Sequence, residues 1–355
     1  MNTSGIYRQA LGIIALLMLP CLVWSKDLSE ELKKEITRSF SVGKADMLDI
    51  DNRFGNITIE HWNRNEVKVQ ILIESKANSR KTAQENLNKV SIDMGKEDNR
   101  VFAVTSINLQ NQNEEVRVNV HYILVIPSYL QLDLKQQFGN ITLPDGHKGN
   151  SSLQIKFGNL TAGDIDAPVS VRSEFSNVTL GNTGSVSLNA RHSANISFED
   201  VQILEADLQF SNLKAGKVES LRLDEKHSDA SLKSISEGEI DAQHSKVKIG
   251  CVETGLFVNT LSHSNLEIKE LARNFRSLNI HANFGGVSIC MNPQISFSLS
   301  ASTSFGKIEV ESGFKQRNRD YIEKNNKQSL TADINNGGSR IEFEGNFSTI
   351  SIKEF

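Results

Sequence analysis

The sequence predicts an all-β fold, a parallel β-helix (β-solenoid) with rungs of about 17 to 21 residues, preceded by a small α+β head. First, the phrase FGNITL at Phe138 recurs in altered forms such as FGNLTA, FSNVTL, HSNLEI and FGKIEV. Second, from Phe138 to Phe305 successive copies begin 19, 18, 17, 18, 17, 17, 19, 21 and 21 residues apart. Third, alternating apolar residues flank each copy, which is the pattern of strands. A short fixed period of strands is typical of a solenoid.

The first position of every copy is Phe or His. It shares the parity of the apolar residues before it, as in Phe297, Leu299 and Phe305. We therefore expect these side chains to point inward and form a column, unless a bend breaks the alternation. On this prediction, Phe157→Asp or Phe175→Asp places an unpaired charge in the core and unfolds the protein.

The next position is always Gly or Ser, and Asn often follows it. Small residues and Asn favour a corner between two strands, because Asn tolerates left-handed backbone angles. With rungs about 4.8 Å apart, like residues would form columns. The phrase also creates Asn-x-Ser/Thr sequences, which we interpret as corner residues and not as glycosylation sites; they begin at Asn56, Asn140, Asn159 and Asn177.

Residues 1–25 are predicted to be a signal peptide. Arg8 supplies the positive charge, and a short apolar segment follows it. The chain is therefore expected to be exported, to a periplasmic, outer-surface or secreted location. An alternative is lipoprotein processing at Cys21, although Pro20 departs from the usual small residue there. Membrane association is expected only if Cys21 is lipidated, because the sequence has no second apolar span.

Residues 26–39 are predicted to be a lead-in helix or linker, because Leu28, Leu32 and Ile36 are spaced by four. Residues 40–130 are predicted to form an α+β N-terminal cap that includes the first rung. Within the cap, apolar spacing predicts a helix between residues 78 and 90, with Asn78 or Ser79 as its N-cap. Strands are expected at 66–74, 101–107 and 116–126, with a polar turn at 110–115.

Residues 131–355 are predicted to be the β-solenoid with C-terminal closing strands. The charged segment 314–328 interrupts the repeats and is expected to be a solvated loop. Strands resume between residues 331 and 352, with a corner at 335–338, and are expected to close the C-terminal end.

The run LDIDNRFGNITIEHW from Leu48, followed by EVKV from Glu66, resembles the opening of the bacterial putative-adhesin family of exported β-strand-repeat proteins. The phrases FGNIT at Phe138 and FGNLTAG at Phe157 are similar to that family as well. The resemblance covers roughly residues 40–350. It implies the fold and export, but it supplies no catalytic residues, because the family has no established biochemical function.

A formal charge of −4 gives no basic surface, so nucleic acid is not an expected partner. Cys251 and Cys290 fall two rungs apart, about 9–10 Å along the axis, which exceeds the reach of a disulfide. Both are expected to be buried thiols, and no cofactor is predicted.

His227, His244 and His263 occupy one place in three successive rungs, and His192 lies two rungs earlier. Imidazoles stacked about 4.8 Å apart could share a metal ion. The other interpretation is that His replaces Phe as a flat, neutral inward group.

Catalysis on glycans needs converging carboxylates or a Ca²⁺ site. The paired acids Asp164/Asp166 and Glu199/Asp200 are expected at different turns of different rungs. The sequence therefore favours a non-enzymatic protein, an adhesin or cell-envelope scaffold. Its expected partner is a glycan or an envelope or surface protein. The alternative is a glycan-active β-helix enzyme resembling a polysaccharide lyase or hydrolase.

Overall fold

The computed structural model describes residues 30–108 and 117–355. The predicted signal peptide, Cys21 and the turn at 110–115 lie outside the described residues. Strands dominate the described part of the chain, which contains a single α-helix. The prediction of an all-β class is confirmed. No helix in this part of the chain has the length and apolar character needed to cross a membrane.

The N-terminal segment contains seven strands and the helix within its described residues. Their bounds are Glu30–Ser41 (β1), Met47–Phe54 (β2), Ile57–His61 (β3), Glu66–Ala77 (β4), Arg80–Lys89 (α1), Val90–Glu97 (β5), Arg100–Ile107 (β6) and Val118–Ile126 (β7). Strands β1, β4 and β7 pair antiparallel in that order, as do β5 and β6. By contrast, β2 and β3 pair in parallel with the repeats that follow.

From residue 30 onward the predicted lead-in helix or linker is a strand, and residues 26–29 lie outside the described residues. Strand β1 runs antiparallel to β4, and Leu32, Ile36 and Phe40 on it pack against the core. Positions four apart lie on one face of a helix, but they also share the parity of one face of a strand. The spacing alone therefore could not separate the two structures, and pairing with β4 decides between them.

The helix predicted between residues 78 and 90 is present as α1. The Ser79 hydroxyl accepts a hydrogen bond from the Thr82 backbone N–H at 3.1 Å, which makes Ser79 the N-cap. Ala83 and Leu87 are buried on the side of the helix that faces the sheet. The N-cap and the buried face of the helix are therefore those that the sequence predicted.

The central repeats supply the strands from residue 131 to residue 291. Their bounds are Gln131–Leu143 (β8), Ser151–Lys156 (β9), Gly158–Ala162 (β10), Val169–Glu174 (β11), Asn177–Leu180 (β12), Thr183–Arg191 (β13), Ile196–Phe198 (β14), Val201–Gln209 (β15), Asn212–Lys226 (β16), Asp229–Gln243 (β17), Lys246–Ser262 (β18), Asn265–Leu271 (β19), Ser277–Asn283 (β20) and Gly286–Met291 (β21).

Each repeat pairs in parallel with the next, so like positions lie side by side. One series of strands precedes the Phe/His position, and β9, β11 and β13 are neighbours in it. A second series follows that position, and β8, β10 and β12 are neighbours there. Alternate residues of both series are buried; Leu160, Val178 and Ile196, for example, form one inner column. Parallel pairing at the repeat interval is therefore what the spacing predicted.

The C-terminal strands are Phe297–Ser304 (β22), Ile308–Val310 (β23), Gln316–Lys324 (β24), Lys327–Ile334 (β25), Ser339–Asn346 (β26) and Thr349–Glu354 (β27). Strand β26 lies between β20 and β22, and β27 lies between β21 and β23. The last segment is therefore inserted between two earlier repeats. Strands β26 and β27 therefore do not close the end of the repeats; β25 pairs antiparallel with the other edge of β22, and β24 pairs with β25 there.

The charged segment 314–328 is also not a loop. It forms most of a hairpin in which β24 and β25 pair antiparallel. Asn325 and Asn326, with φ of 53° and 62°, make the two-residue turn, which is the backbone that tight hairpins favour. Because β24 is exposed on both faces apart from its first residue, its polar composition resembled that of a loop.

Candidate functional site

The Phe and His residues of the repeats form one continuous stack of rings, here named the ring ladder. Neighbouring ring centroids lie 4.7–5.2 Å apart, and ring planes differ by 0–9°. In spatial order its members are Phe54, Phe138, Phe157, Phe175, His192, Phe210, His227, His244, His263, Phe284, Phe347 and Phe305.

The ring ladder points outward, so the expectation of an inward column was wrong. From Phe138 onward its Phe side chains are 36–57% exposed, and its His side chains are exposed as well. From Phe157 onward the ring residues have φ between 48° and 56°. This left-handed backbone breaks the strand alternation, so the ring stays outside and the next residue turns inward. In the first two repeats Gly55 and Gly139 take the positive φ instead.

The Gly or Ser after each ring occupies the interior of the corner. A Cβ added to Gly158 would lie 1.7 Å from the carbonyl oxygen of Gly139, so the packing excludes a side chain there. Where Ser occurs, its hydroxyl forms hydrogen bonds with backbone groups at the corner. Ser211 Oγ, for example, donates to the Gln209 carbonyl oxygen at 2.9 Å and accepts from the Ser193 N–H at 3.1 Å.

The Asn residues form a second outer column beside the ring ladder. Asn140 Nδ2 donates to Asn56 Oδ1 at 3.1 Å, and Asn159 Nδ2 donates to Asn140 Oδ1 at 2.8 Å. Asn177 and Asn195 continue the same bonding. The predicted corner column of Asn is present, and its amides connect successive repeats.

His227, His244 and His263 are consecutive members of the ring ladder. Their centroids are 4.8 Å apart, with planes 2° and 6° from parallel. Corresponding atoms of such rings lie farther apart than the distance of about 4.2 Å that two Zn–N bonds span. Within residues 30–108 and 117–355, no group of three or more His, Cys, Asp or Glu side chains could hold a metal ion. Sharing of a metal would therefore require these rings to tilt.

The paired acids come closer together than the sequence suggested. Asp164, Asp166 and Asp200 line one open surface groove of about 350 Å³. However, Asp164 Oδ1 accepts from the Asn182 backbone N–H at 2.8 Å, and Asp200 Oδ1 accepts from the Lys217 backbone N–H at 2.8 Å. These two carboxylates therefore hold a second corner of the repeats.

A second groove, of about 230 Å³, lies beside the first rings of the ladder. Lys135, Lys156, Arg172, Asp51 and Glu174 contribute the charges that line it. The Lys156 ammonium contacts the Glu174 carboxylate at 3.0 Å and lies 5.3 Å from the centroid of the Phe157 ring. Burial raises the pKa of the Asp51 carboxyl above its ordinary value. The groove therefore presents mainly positive charge next to apolar rings.

Cys251 and Cys290 are free thiols and half-buried. They lie two repeats apart, because β18, which carries Cys251, pairs with β19, and β19 pairs with β21, which carries Cys290. Burial raises the pKa of the Cys251 thiol.

Two buried titratable sites were missed in the sequence. Glu225 is fully buried, neither carboxyl oxygen has a hydrogen-bond partner among the described residues, and burial raises its pKa to about 9. Its parity with Leu221 and Leu223 was the signal that could have found it. At the first repeat, His61 Nε2 lies 3.1 Å from His147 Nδ1, and burial lowers the pKa of His147 to about 4. No local pattern marks this pair, because its partners are 86 residues apart.

Comparison with solved structures finds similar chains among proteins described as adhesins. One is a putative cell adhesion protein from Clostridium sporogenes, 10% identical, covering 91% of this chain and 100% of that chain, with a TM-score of 0.20. A second is a putative adhesin from Bacteroides fragilis, 11% identical, covering 91% and 97%, with a TM-score of 0.28. A third is a putative lipid binding protein from Parabacteroides distasonis, 10% identical, covering 90% and 96%, with a TM-score of 0.30.

The resemblance to bacterial putative-adhesin proteins seen in the sequence thus recurs among these structures. These scores do not support a transfer of function. No protein-family model matches the chain, and no curated protein matches it.

Proposed function

We propose that the protein is an exported, non-enzymatic β-solenoid that acts as a binding protein, an adhesin or cell-envelope scaffold. The ring ladder is the observation that carries this proposal. Seven of its Phe side chains are at least 36% exposed, in a single file along the repeats. Exposed apolar area that is contiguous and larger than a few hundred Å² marks interaction surfaces in soluble proteins.

Regular parallel pairing supports the solenoid part of the proposal. Rungs stacked about 4.8 Å apart give the ladder a length of roughly 50 Å. Partners that are themselves extended suit such a surface, and the expected classes are a glycan or an envelope or surface protein. The Asn column offers hydrogen-bonding groups to the same partner, since its outermost amides lie in solvent.

The contribution of the ring ladder can be tested by capture from isolated cell-envelope fractions and on a glycan array. The test variant is Phe157→Asn with Phe175→Asn, because Asn tolerates the left-handed backbone at these positions. The control is Phe257→Asn with Ile322→Asn, which removes similarly exposed apolar side chains elsewhere. Binding that the control keeps and the test variant loses supports the proposal. Equal binding by both would contradict a role for the ladder.

A glycan-active enzyme is the alternative function, and Asp166 in the acidic groove is its candidate carboxylate. Asp164 and Asp200 are engaged with backbone amides, so Asp166 and Glu219 are the carboxylates of this groove left for acid and base roles. Release of reducing ends from a bound glycan, abolished by Asp166→Asn, would overturn the non-enzymatic proposal.

A further inference from the structure

The first four rings of the ladder form an uninterrupted run of Phe. Phe54 is half-buried, and Phe138, Phe157 and Phe175 are 36%, 42% and 47% exposed. Their planes differ by 5–9° and their centroids lie 5.1–5.2 Å apart. Neighbours cover the faces of the inner rings, so solvent meets a straight ridge made of ring edges.

Basic side chains predominate beside this ridge. The Arg53 guanidinium and the Lys156 ammonium lie 5.4 Å and 5.3 Å from the ring centroids of Phe54 and Phe157. Three more basic residues occupy neighbouring outward positions: Lys135, Arg172 and Arg191. Asp51 and Glu174 are the acidic residues of the adjoining groove.

Ion pairs neutralise part of this charge and leave Arg172 unmatched. Glu174 is matched by Lys156 at 3.0 Å, and Lys135 is matched by Asp133 at 3.5 Å. Arg172 makes no ion pair with any residue in the described ranges. In the later repeats the balance reverses, because Asp207, Asp224 and Asp241 are consecutive members of the corresponding outer column. The beginning of the ladder therefore combines Phe edges with an excess of positive charge.

The shape of the ridge selects among partners. Sugars stack on aromatic faces, and here the faces are covered by neighbouring rings. A protein partner would need a straight apolar groove that matches the spacing of the rings. A lipid bilayer deforms around a ridge and needs no register, and anionic headgroups attract flanking Lys and Arg.

We propose that the surface formed by Phe54, Phe138, Phe157 and Phe175, with Lys135 and Arg172 beside it, rests on an anionic lipid bilayer. This inference depends on the proposed function, because it names the partner of the ring ladder. The Phe edges enter the interfacial region, and the basic side chains contact the phosphate groups. The protein is then held at a membrane surface through its own fold.

Co-sedimentation with phospholipid vesicles tests the inference. The purified protein is mixed with vesicles of equal parts phosphatidylglycerol and phosphatidylcholine, and with vesicles of phosphatidylcholine alone. We expect binding to the anionic vesicles that is at least tenfold tighter than binding to the neutral ones. Phe157→Asn with Phe175→Asn, and separately Lys135→Gln with Arg172→Gln, should each weaken it at least tenfold. Phe257→Asn with Ile322→Asn should leave it unchanged.

Absence of vesicle binding, or binding that both the ring and the charge variants retain, would overturn the inference. Capture from envelope fractions distinguishes this failure from failure of the proposed function. If that capture still depends on Phe157 and Phe175, a protein or glycan is the partner and the proposed function stands. If the protein instead forms a dimer that these substitutions dissociate, measured by light scattering after gel filtration, a second copy occupies the ridge and the lipid inference is wrong.

Discussion

The hydroxyl oxygen of Ser228 accepts a hydrogen bond from the Ser211 backbone N–H at 3.1 Å, across two adjacent repeats. The same hydroxyl donates to the Lys226 carbonyl oxygen at 2.9 Å. One buried side chain thus satisfies two backbone groups at a corner where the left-handed residue His227 interrupts the strand. The buried Ser side chains therefore stabilise the inside of the corners whose outside carries the ring ladder.

Replacing Ser228 by Ala should lower the free energy of unfolding by about 1–3 kcal/mol, because the Ser211 N–H loses its buried acceptor. Chemical denaturation monitored by circular dichroism measures the change. Ser231→Ala in the same repeat is the control, because Ser231 is exposed, and it should change stability little. Equal effects of the two substitutions would show that the inner hydroxyl is not needed.

Glu225 should make the protein less stable as the pH rises. Its pKa is about 9 in the folded protein and 4.5 as an unperturbed group, so between these values the folded state keeps a proton that the unfolded state releases. The contribution of Glu225 to the free energy of unfolding is fully present below pH 4.5. It falls by up to about 1.4 kcal/mol per pH unit as the pH rises from 4.5 to about 9.

The variant Glu225→Gln should therefore be more stable than the original protein at pH 8, and the difference should shrink toward pH 5. Urea denaturation at the two pH values measures it, with exposed Glu205→Gln as the control. A difference that is the same at both pH values would contradict a buried, protonated Glu225.

The buried, neutral His147 should make the protein less stable as the pH falls. Its pKa is about 4 in the fold, against 6.5 as an unperturbed group, so the unfolded chain binds the proton more readily. The stability that the neutral ring contributes is present above pH 6.5 and is lost as the pH falls toward 4. His147→Phe should remove about 2–3 kcal/mol of the stability loss between pH 7 and pH 4.5. Half-buried His281→Phe should leave the full acid loss in place, and an unchanged pH profile for His147→Phe would exclude the assignment.

Replacing His227, His244 and His263 together by Phe should give a folded protein. Phe210 and Phe284 flank this run with the same left-handed backbone and the same stacking. Because the parallel rings are too far apart to share Zn²⁺, addition of Zn²⁺ should not raise the melting temperature of the original protein. A rise that EDTA reverses and the triple variant lacks would show that the rings tilt to bind metal.

The repeat period and the strand alternation allowed the strands and their parallel neighbours to be predicted. The direction of the Phe and His side chains could not be predicted by counting parity, because one left-handed residue per repeat reverses it. Gly or Ser after each ring was the available signal, since only small residues fit the inner corner. Parity does apply to Glu225, which shares the inward positions of Leu221 and Leu223.

Topology at the C-terminus depended on long-range packing. Phe347 stacks between Phe284 and Phe305, although it lies 42 residues after Phe305 in the sequence. The phrase FSTISI at Phe347 has the form of another repeat, but sequence order places it last. Only the pairing of β26 and β27 between earlier strands fixes its position, and no local pattern encodes that choice.

The most direct test of the outward ring ladder compares the free energy of unfolding of Phe175→Asp with that of Val178→Asp. Phe175 is 47% exposed and Val178 is fully buried, three residues apart in one repeat. The outward ladder predicts that Phe175→Asp folds and loses less than about 2 kcal/mol, chiefly from ring stacking. Val178→Asp should lose several kcal/mol or fail to fold, because it buries an unpaired charge. Comparable loss in both variants would mean that the ring of Phe175 lies in the core, contradicting the outward ladder.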